Sequence, residues 1–118
     1  MSDTIQEMTE KVKAFCEARD WDQYHDPKEL SIGLSTEANE LLSIFRFKSK
    51  EQKQAIFDDS QKRAHVEEEV ADVFFFLLRF AQMNNLDLEE CLDQKLERNE
   101  EKYPVDKVKG KNLKYTEI

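Results

Sequence analysis

Apolar residues recur along most of the chain at steps of three and four residues, which is the spacing of one face of a helix. Four such stripes predict four helices, over approximately residues 4–19, 27–47, 60–84 and 88–103. Residues 49–59 carry only a small apolar patch, so a short helix and an irregular connection both fit them. Four helices joined by short connections predict an all-α fold, a four-helix bundle.

The predicted third helix contains the strongest apolar run of the chain, Val-Phe-Phe-Phe-Leu-Leu at residues 73–78. A helix that is apolar almost all round is buried between neighbours or at a subunit interface. We therefore expect the bundle to be completed by oligomerisation.

The last fourteen residues differ from the rest, since residues 105–118 are rich in lysine, contain Gly110 and show no helical periodicity. They predict an extended or mobile tail. The remaining residues, 1–104, suffice for one compact domain with one hydrophobic core. Only two Gly and two Pro occur in the whole chain, which also favours helices.

The formal net charge of −8 disfavours binding to a nucleic-acid polymer, because such proteins need a basic face. A polyanionic substrate would therefore need metal ions. Cys16 and Cys91 match no metal-ligand spacing. Neither a secretory signal nor a run of about 20 apolar residues is visible, so we expect a cytoplasmic protein without a membrane span.

Acidic pairs stand where these helices should be apolar. Glu37 and Glu40 are three residues apart on the second helix, and Glu69 and Asp72 have the same relation on the third. Residues three apart project from one face of a helix, so four carboxylates could converge on one site. Alternatively, they could lie on solvated faces and pair with Lys or Arg.

A converged site would offer only hard oxygen ligands, which suit Mg²⁺, or Mn²⁺ as a substitute, better than zinc or copper. Two rival metal chemistries fit less well. Di-iron bundles use Glu-x-x-His motifs, but Asp22 and Lys62 stand three residues before His25 and His65. The dipeptide His25-Asp26 is typical of the histidine-aspartate phosphohydrolases, but no further His precedes it.

The pattern Glu37-x-x-Glu40, 28 residues, Glu69-x-x-Asp72 resembles the signature of the MazG-like, all-α nucleoside triphosphate pyrophosphatases, and within them the dCTP pyrophosphatase branch. Three further segments resemble that family in the same order. They are residues 19–27, Lys95-x-x-x-Asn99-x-x-x-Tyr103-Pro104 and residues 114–117.

The resemblance implies that Glu37, Glu40, Glu69 and Asp72 bind Mg²⁺ together with a triphosphate, and that water attacks the α-phosphate. Glu37 or Glu40 would be the general base. Lys95 would face phosphate, and Asn99 would face phosphate or sugar. Both could instead belong to the plain surface of the fourth helix.

The resemblance also implies a base pocket. Trp21, His25 and Phe47 would form it, with Phe76 near the sugar edge, although Trp21 and Phe76 considered alone fit core packing better. The basic tail would close over the phosphates as a lid, through Lys111, Lys114 and Tyr115, unless it is simply a solubilising tail.

Together these implications predict a homodimeric or homotetrameric enzyme that hydrolyses nucleoside triphosphates to the monophosphate and pyrophosphate, with dCTP or a related dNTP favoured, in nucleotide-pool housekeeping. The alternative is a non-catalytic helical module that senses nucleotides or binds a protein partner. Replacing Glu40 or Asp72 would separate the two interpretations.

Overall fold

The structure, a computed structural model, describes residues 2–118, and these residues contain helices but no strand. Six α-helices follow one another along the chain: α1 Ile5–Ala18, α2 Pro27–Phe45, α3 Lys50–Asp58, α4 Ser60–Met83, α5 Leu88–Lys102 and α6 Val105–Val108. Two short 3-10 helices cover Asp22–Tyr24 and Tyr115–Glu117. The expected all-α class is confirmed, and residues 49–59 are mostly helical.

Side-chain caps fix where most of these helices begin. The hydroxyls of Thr4 and Ser49 each accept a hydrogen bond from the backbone N–H three residues on, and each forms a capping box with that residue. Asp26 caps α2, which has Pro27 at its first position. Because a cap satisfies backbone N–H groups that have no partner in the helix, each start is set locally by the sequence.

The chain divides into two compact units, the first ending at Asn85 and the second comprising Leu86–Ile118. In the first unit α4 is the central helix, which packs most extensively against α2 and also against α1 and α3. The buried apolar side chains of the first unit are Cys16, Leu30, Ile56, Val66, Leu78 and Ala81. This packing fixes the relative positions of the polar residues on α2 and α4.

A close approach between α2 and α4 depends on Gly33. A Cβ atom at this position would lie 2.7 Å from Cδ1 and Cζ of Phe76, which is closer than side chains approach each other. The half-buried Phe76 ring therefore packs directly on the α2 backbone.

An apolar groove runs along the first unit, with a volume of about 570 Å³. Leu41 of α2, Phe57 of α3, and Val70, Phe74 and Leu77 of α4 are among its lining residues. Val70 is 49% exposed. The apolar run of α4 is thus only partly covered by the described residues.

The second unit contains α5, α6 and the terminal 3-10 turn. The rings of Tyr103 and Tyr115 meet edge to face at 6.3 Å, and the Lys102 ammonium lies 5.0 Å from the Tyr115 ring. Residues 105–118, for which the sequence predicts no regular structure, thus include two short helical turns, and the second of them packs through Tyr115 on the end of α5. No helix within residues 2–118 is both long enough and apolar enough to span a bilayer.

Candidate metal centre

Three glutamates of α2 and α4 come together in the first unit. Glu37 and Glu40 project from α2 and Glu69 from α4, and one carboxylate oxygen of each lies within 4.8 Å of the others. Glu69 is buried, Glu37 is half-buried and Glu40 is exposed. The cluster therefore has a closed side and a side open to solvent.

The cluster is electrostatically unfavourable without a cation. Burial, hydrogen bonding to Glu40 and the charges of Glu40 and Asp72 raise the pKa of Glu37 to about 7. Burial and the neighbouring Glu40 also raise the pKa of Glu69. Both shifts have the sign expected for carboxylates that are forced together away from water.

Two oxygens of the cluster have no hydrogen-bond partner among the described residues, although both are buried: Oε2 of Glu37 and Oε2 of Glu69. A buried polar atom without a partner is costly, so native proteins supply a partner or a bound ion. Three carboxylates with free oxygens are a donor set for a hard divalent cation. The residues present therefore fit such an ion.

Asp72, the fourth predicted ligand, lies one turn beyond Glu69 on α4 and is exposed. Its charge contributes to the raised pKa of both Glu37 and Glu69, but its oxygens are not in the 4.8 Å group. The structure thus brings three of the four predicted carboxylates into one cluster, with Asp72 at its border.

A cavity of about 540 Å³ opens next to the cluster and shares Glu40 and Glu69 with it. Its other lining residues include Lys48, Lys62 and His65. The imidazole Nε2 of His65 lies 3.4 Å from Oε1 of Glu69. None of these three residues has a function predicted from the sequence. A signal existed for two of them, since Lys62 and His65 precede Glu69 by seven and four residues and so share its helix face.

A second polar group lies where the loop before α2 meets α4. The Arg79 side chain is fully buried, and its guanidinium donates hydrogen bonds to Nδ1 of His25, Oε1 of Gln82 and Oδ1 of Asp22. We call these four residues the arginine cluster. Burial and the Arg79 charge lower the pKa of His25.

Arg79 was missed by the sequence analysis, although a charged residue directly after the most apolar run of the chain was its signal. His25, a predicted base contact, has its Nδ1 occupied by Arg79. Since Nδ1 accepts this bond, the neutral imidazole carries its proton on Nε2, which stays available as a donor.

The other predicted aromatic contacts of the first unit differ in exposure. Trp21 is 37% exposed and packs edge to face with His25 and Phe15, at centroid distances of 6.0 and 5.7 Å. Phe47 is 91% exposed and adopts a positive φ of 64°, with the Arg46 guanidinium over its ring. The face of the ring that Arg46 does not cover is available for stacking on a ligand. The nucleobase contacts predicted for Trp21 and Phe47 stay predictions.

The remaining predicted contacts lie in the second unit. On α5, Lys95 is exposed and Asn99 half-buried, and the three tail residues Lys111, Lys114 and Tyr115 are exposed. Tyr115 packs on Tyr103. Their assignment to phosphate, sugar or a lid also stays a prediction.

Comparison with known proteins identifies the family. The sequence profile of the MazG-like family matches residues 32–118, which include all four predicted metal ligands. A dCTP pyrophosphatase 1 from Mus musculus is 30% identical over 115 residues, covering 98% of this chain and 68% of the mouse protein. The Homo sapiens protein of the same name is 29% identical over 115 residues.

Among solved structures, a pyrophosphatase from Archaeoglobus fulgidus superposes with a TM-score of 0.80 at 32% identity, over 88% of this chain and 95% of that one. The resemblance seen in the sequence, the fold class and the class of enzyme are thereby confirmed. The chain belongs to the MazG-like family of nucleoside triphosphate pyrophosphohydrolases.

Proposed function

We propose that this protein hydrolyses dCTP, or a closely related dNTP, to the monophosphate and pyrophosphate in a Mg²⁺-dependent reaction that serves nucleotide-pool housekeeping. The observation that carries the proposal is the cluster of Glu37, Glu40 and Glu69, with its two buried oxygens that lack partners. The similarity to proteins named dCTP pyrophosphatase supports the choice of substrate.

In this proposal Glu37, Glu40, Glu69 and Asp72 would hold Mg²⁺, or Mn²⁺ in its place. When bound, the ion supplies positive charge at the phosphate oxygens and makes a bound water more acidic. Glu37 or Glu40 takes the proton of the attacking water, because these residues stand on the α2 side of the cluster and Glu40 is open to solvent. Attack on the α-phosphate releases pyrophosphate and the monophosphate.

The base would contact residues of the first unit. Phe47 offers an exposed ring for stacking on a nucleobase. His25 presents Nε2–H as a donor, because Arg79 occupies Nδ1, and a base carbonyl such as that of cytosine would accept it. Trp21 packs on His25 and limits its movement. Phe76 packs on α2 near the sugar edge of the site in this proposal.

Five further residues are proposed to contact the substrate. Lys95 and Asn99 would bind phosphate and sugar, and Lys111, Lys114 and Tyr115 would close over the phosphates as a lid. All five lie on α5 or in the tail after it.

We also propose a homodimer or homotetramer in the cytoplasm. The apolar groove lined by Leu41, Phe57, Val70, Phe74 and Leu77 supports the assembly, because an apolar surface of this kind is typical of subunit contacts. Light scattering of the purified protein would measure the number of subunits, and a monomer at micromolar concentration would contradict it.

The test of the activity is a panel of the eight common dNTPs and NTPs, each incubated with the protein and Mg²⁺. We expect monophosphate and pyrophosphate in equal amounts, the highest kcat/KM for dCTP, and no turnover when EDTA replaces the metal. If nucleotides bind but no product forms from any of them, the protein is the non-catalytic nucleotide sensor of the alternative interpretation. A preference for another base would contradict only the substrate assignment.

A further inference from the structure

The cavity beside the glutamate cluster is lined by side chains of both charges. Glu40 and Glu69 belong to the cluster, and Lys48 and Lys62 line the same cavity. Gly33 of α2 lies against Phe76 of α4, whereas Glu37 and Glu40, later on α2, meet Glu69, earlier on α4, so the two helices run antiparallel. Lys48 follows the end of α2 and Lys62 lies near the start of α4, so both lysines lie beyond the same end of the cluster.

Neither lysine has a structural partner that would explain its position. Within residues 2–118, no carboxylate lies within 4.0 Å of the Lys48 or the Lys62 ammonium, whereas Lys11, Lys13 and Arg63 each form an ion pair. Lys62 is the third residue of α4, where a positive charge opposes the helix dipole. The lysine is therefore unfavourable for the helix itself, and an anion bound beside it would reverse that effect.

We infer that Lys48 and Lys62 bind the two terminal phosphates of the substrate, the part that leaves as pyrophosphate, in the cavity between them and the glutamate cluster. This inference rests on the proposed function, which places the scissile bond at the carboxylates. The nucleoside and the leaving group lie on opposite sides of that bond. The cation-lined side suits the leaving group, which carries several negative charges and no apolar surface.

The two lysines would also reduce the repulsion between this acidic protein and its anionic substrate. The chain has a formal net charge of −8, and the cluster itself is acidic, so a triphosphate is repelled except where cations are concentrated. Metal ions neutralise the phosphates next to the carboxylates. Lys48 and Lys62 would neutralise those beyond the reach of the carboxylates, and they would stabilise the charge that develops on the leaving group.

The test uses Lys48→Gln, Lys62→Gln and the double variant, with Lys53→Gln as the matched control. Lys53 is an exposed residue of α3 that does not line the cavity, so its replacement makes the same change in net charge. Calorimetry with inorganic pyrophosphate and Mg²⁺ measures leaving-group binding without turnover. Inhibition by the deoxynucleoside monophosphate measures the affinity for the nucleoside side of the substrate. Titration with Mn²⁺ measures the affinity of the glutamate cluster for a metal ion.

We expect each single variant to bind pyrophosphate roughly tenfold more weakly and the double variant roughly a hundredfold, since each loses one charged hydrogen bond. Monophosphate and Mn²⁺ affinities should stay within about twofold of the unmodified protein, by the same arithmetic. The control should match the unmodified protein throughout.

Unchanged pyrophosphate affinity in the double variant would overturn the inference. So would a loss of monophosphate affinity as large as that of pyrophosphate, because the cavity would then hold the nucleoside. Lysine-dependent pyrophosphate binding by a protein that cleaves no nucleotide would leave the cavity assignment standing and remove the proposed function. Turnover with lysine-independent binding would do the reverse.

Discussion

Glu69 and Arg79 are the two charged residues that are buried within residues 2–118, and their surroundings differ. The Arg79 guanidinium donates to Asp22, His25 and Gln82. Glu69 keeps a buried oxygen without a partner beside two further glutamates. Both residues lie on α4, ten positions apart.

The difference distinguishes a structural charge from a functional one. A buried charge whose donors are all satisfied adds specificity to the packing and needs nothing more. A buried charge that lacks partners and has like charges for neighbours lowers stability unless a ligand is bound. The glutamate cluster therefore lowers the stability of the metal-free first unit, so its presence indicates a function and not a structural role.

The largest effect is expected from Glu69→Gln. The amide keeps the shape of the side chain but removes a charged ligand, so kcat/KM for the best nucleotide should fall by roughly a hundredfold or more. In the absence of metal, the melting temperature should rise, because one of the crowded negative charges is gone.

Glu68→Gln is the matched control, since Glu68 is the exposed neighbour on the same helix. Pyrophosphate release and thermal melting measure the two properties. If Glu69→Gln kept more than a tenth of the activity, or melted below the unmodified protein without metal, the cluster would be structural after all.

The second effect concerns the arginine cluster. Arg79→Met fills similar volume but leaves His25 and Gln82 without their donor, so the free energy of unfolding should fall by about 2 kcal/mol. The half-exposed Asp22 can turn to water and should add little. Mn²⁺ affinity should stay within about twofold, because Arg79 is not part of the glutamate cluster.

Arg63→Met supplies the comparison, since Arg63 forms an exposed ion pair with Glu67 and lies 6.0 Å from the Phe57 ring, and the loss of both contacts should cost no more than about 1 kcal/mol. Urea denaturation measures both variants. Equal stabilities for Arg79→Met and Arg63→Met would show that the buried hydrogen bonds contribute nothing, and the contrast between the two clusters would disappear.

The two clusters also differ in how far the sequence predicts them. Glu37, Glu40 and Glu69 follow helix periodicity and a family signature, so their meeting could be expected before any coordinates. Two of the three partners of Arg79, His25 and Asp22, come from a loop 54 and 57 residues earlier, and no periodicity connects such distant positions. The helices were predictable for the same local reason, because caps and apolar stripes act within a few residues.

Lys48 and Lys62 fall between these cases. Helix periodicity alone places Lys62 on the same face of α4 as Glu69. Its presence in one cavity with Lys48 depends on the path of the chain through α3, and the sequence did not decide whether residues 49–59 are helical. Interactions within one helix were thus predictable, and those that depend on the path of a loop were not.

The smallest expected effect is a change of stability with pH, which measures how far the crowded glutamates destabilise the metal-free protein. In the metal-free protein the pKa of Glu37 is about 7, above the ordinary glutamate value of 4.5 that applies to an unfolded chain. The folded state therefore binds more protons than the unfolded state between these values. The stability that this proton contributes is fully present below about pH 4.5 and is lost as the pH rises through about 7. Glu69, whose pKa is also raised, acts in the same direction.

We therefore expect the metal-free protein to melt several degrees lower at pH 8 than at pH 5.5, and saturating Mg²⁺ to raise the melting temperature more at pH 8. In Glu37→Gln the pH dependence should shrink, because the amide does not titrate. The arginine cluster has no such requirement, so Arg79→Met should lower the melting temperature without reducing its response to Mg²⁺. Melting curves that are flat between these pH values, or a Mg²⁺ response unaffected by Glu37→Gln, would show that the carboxylates are not held close together in solution.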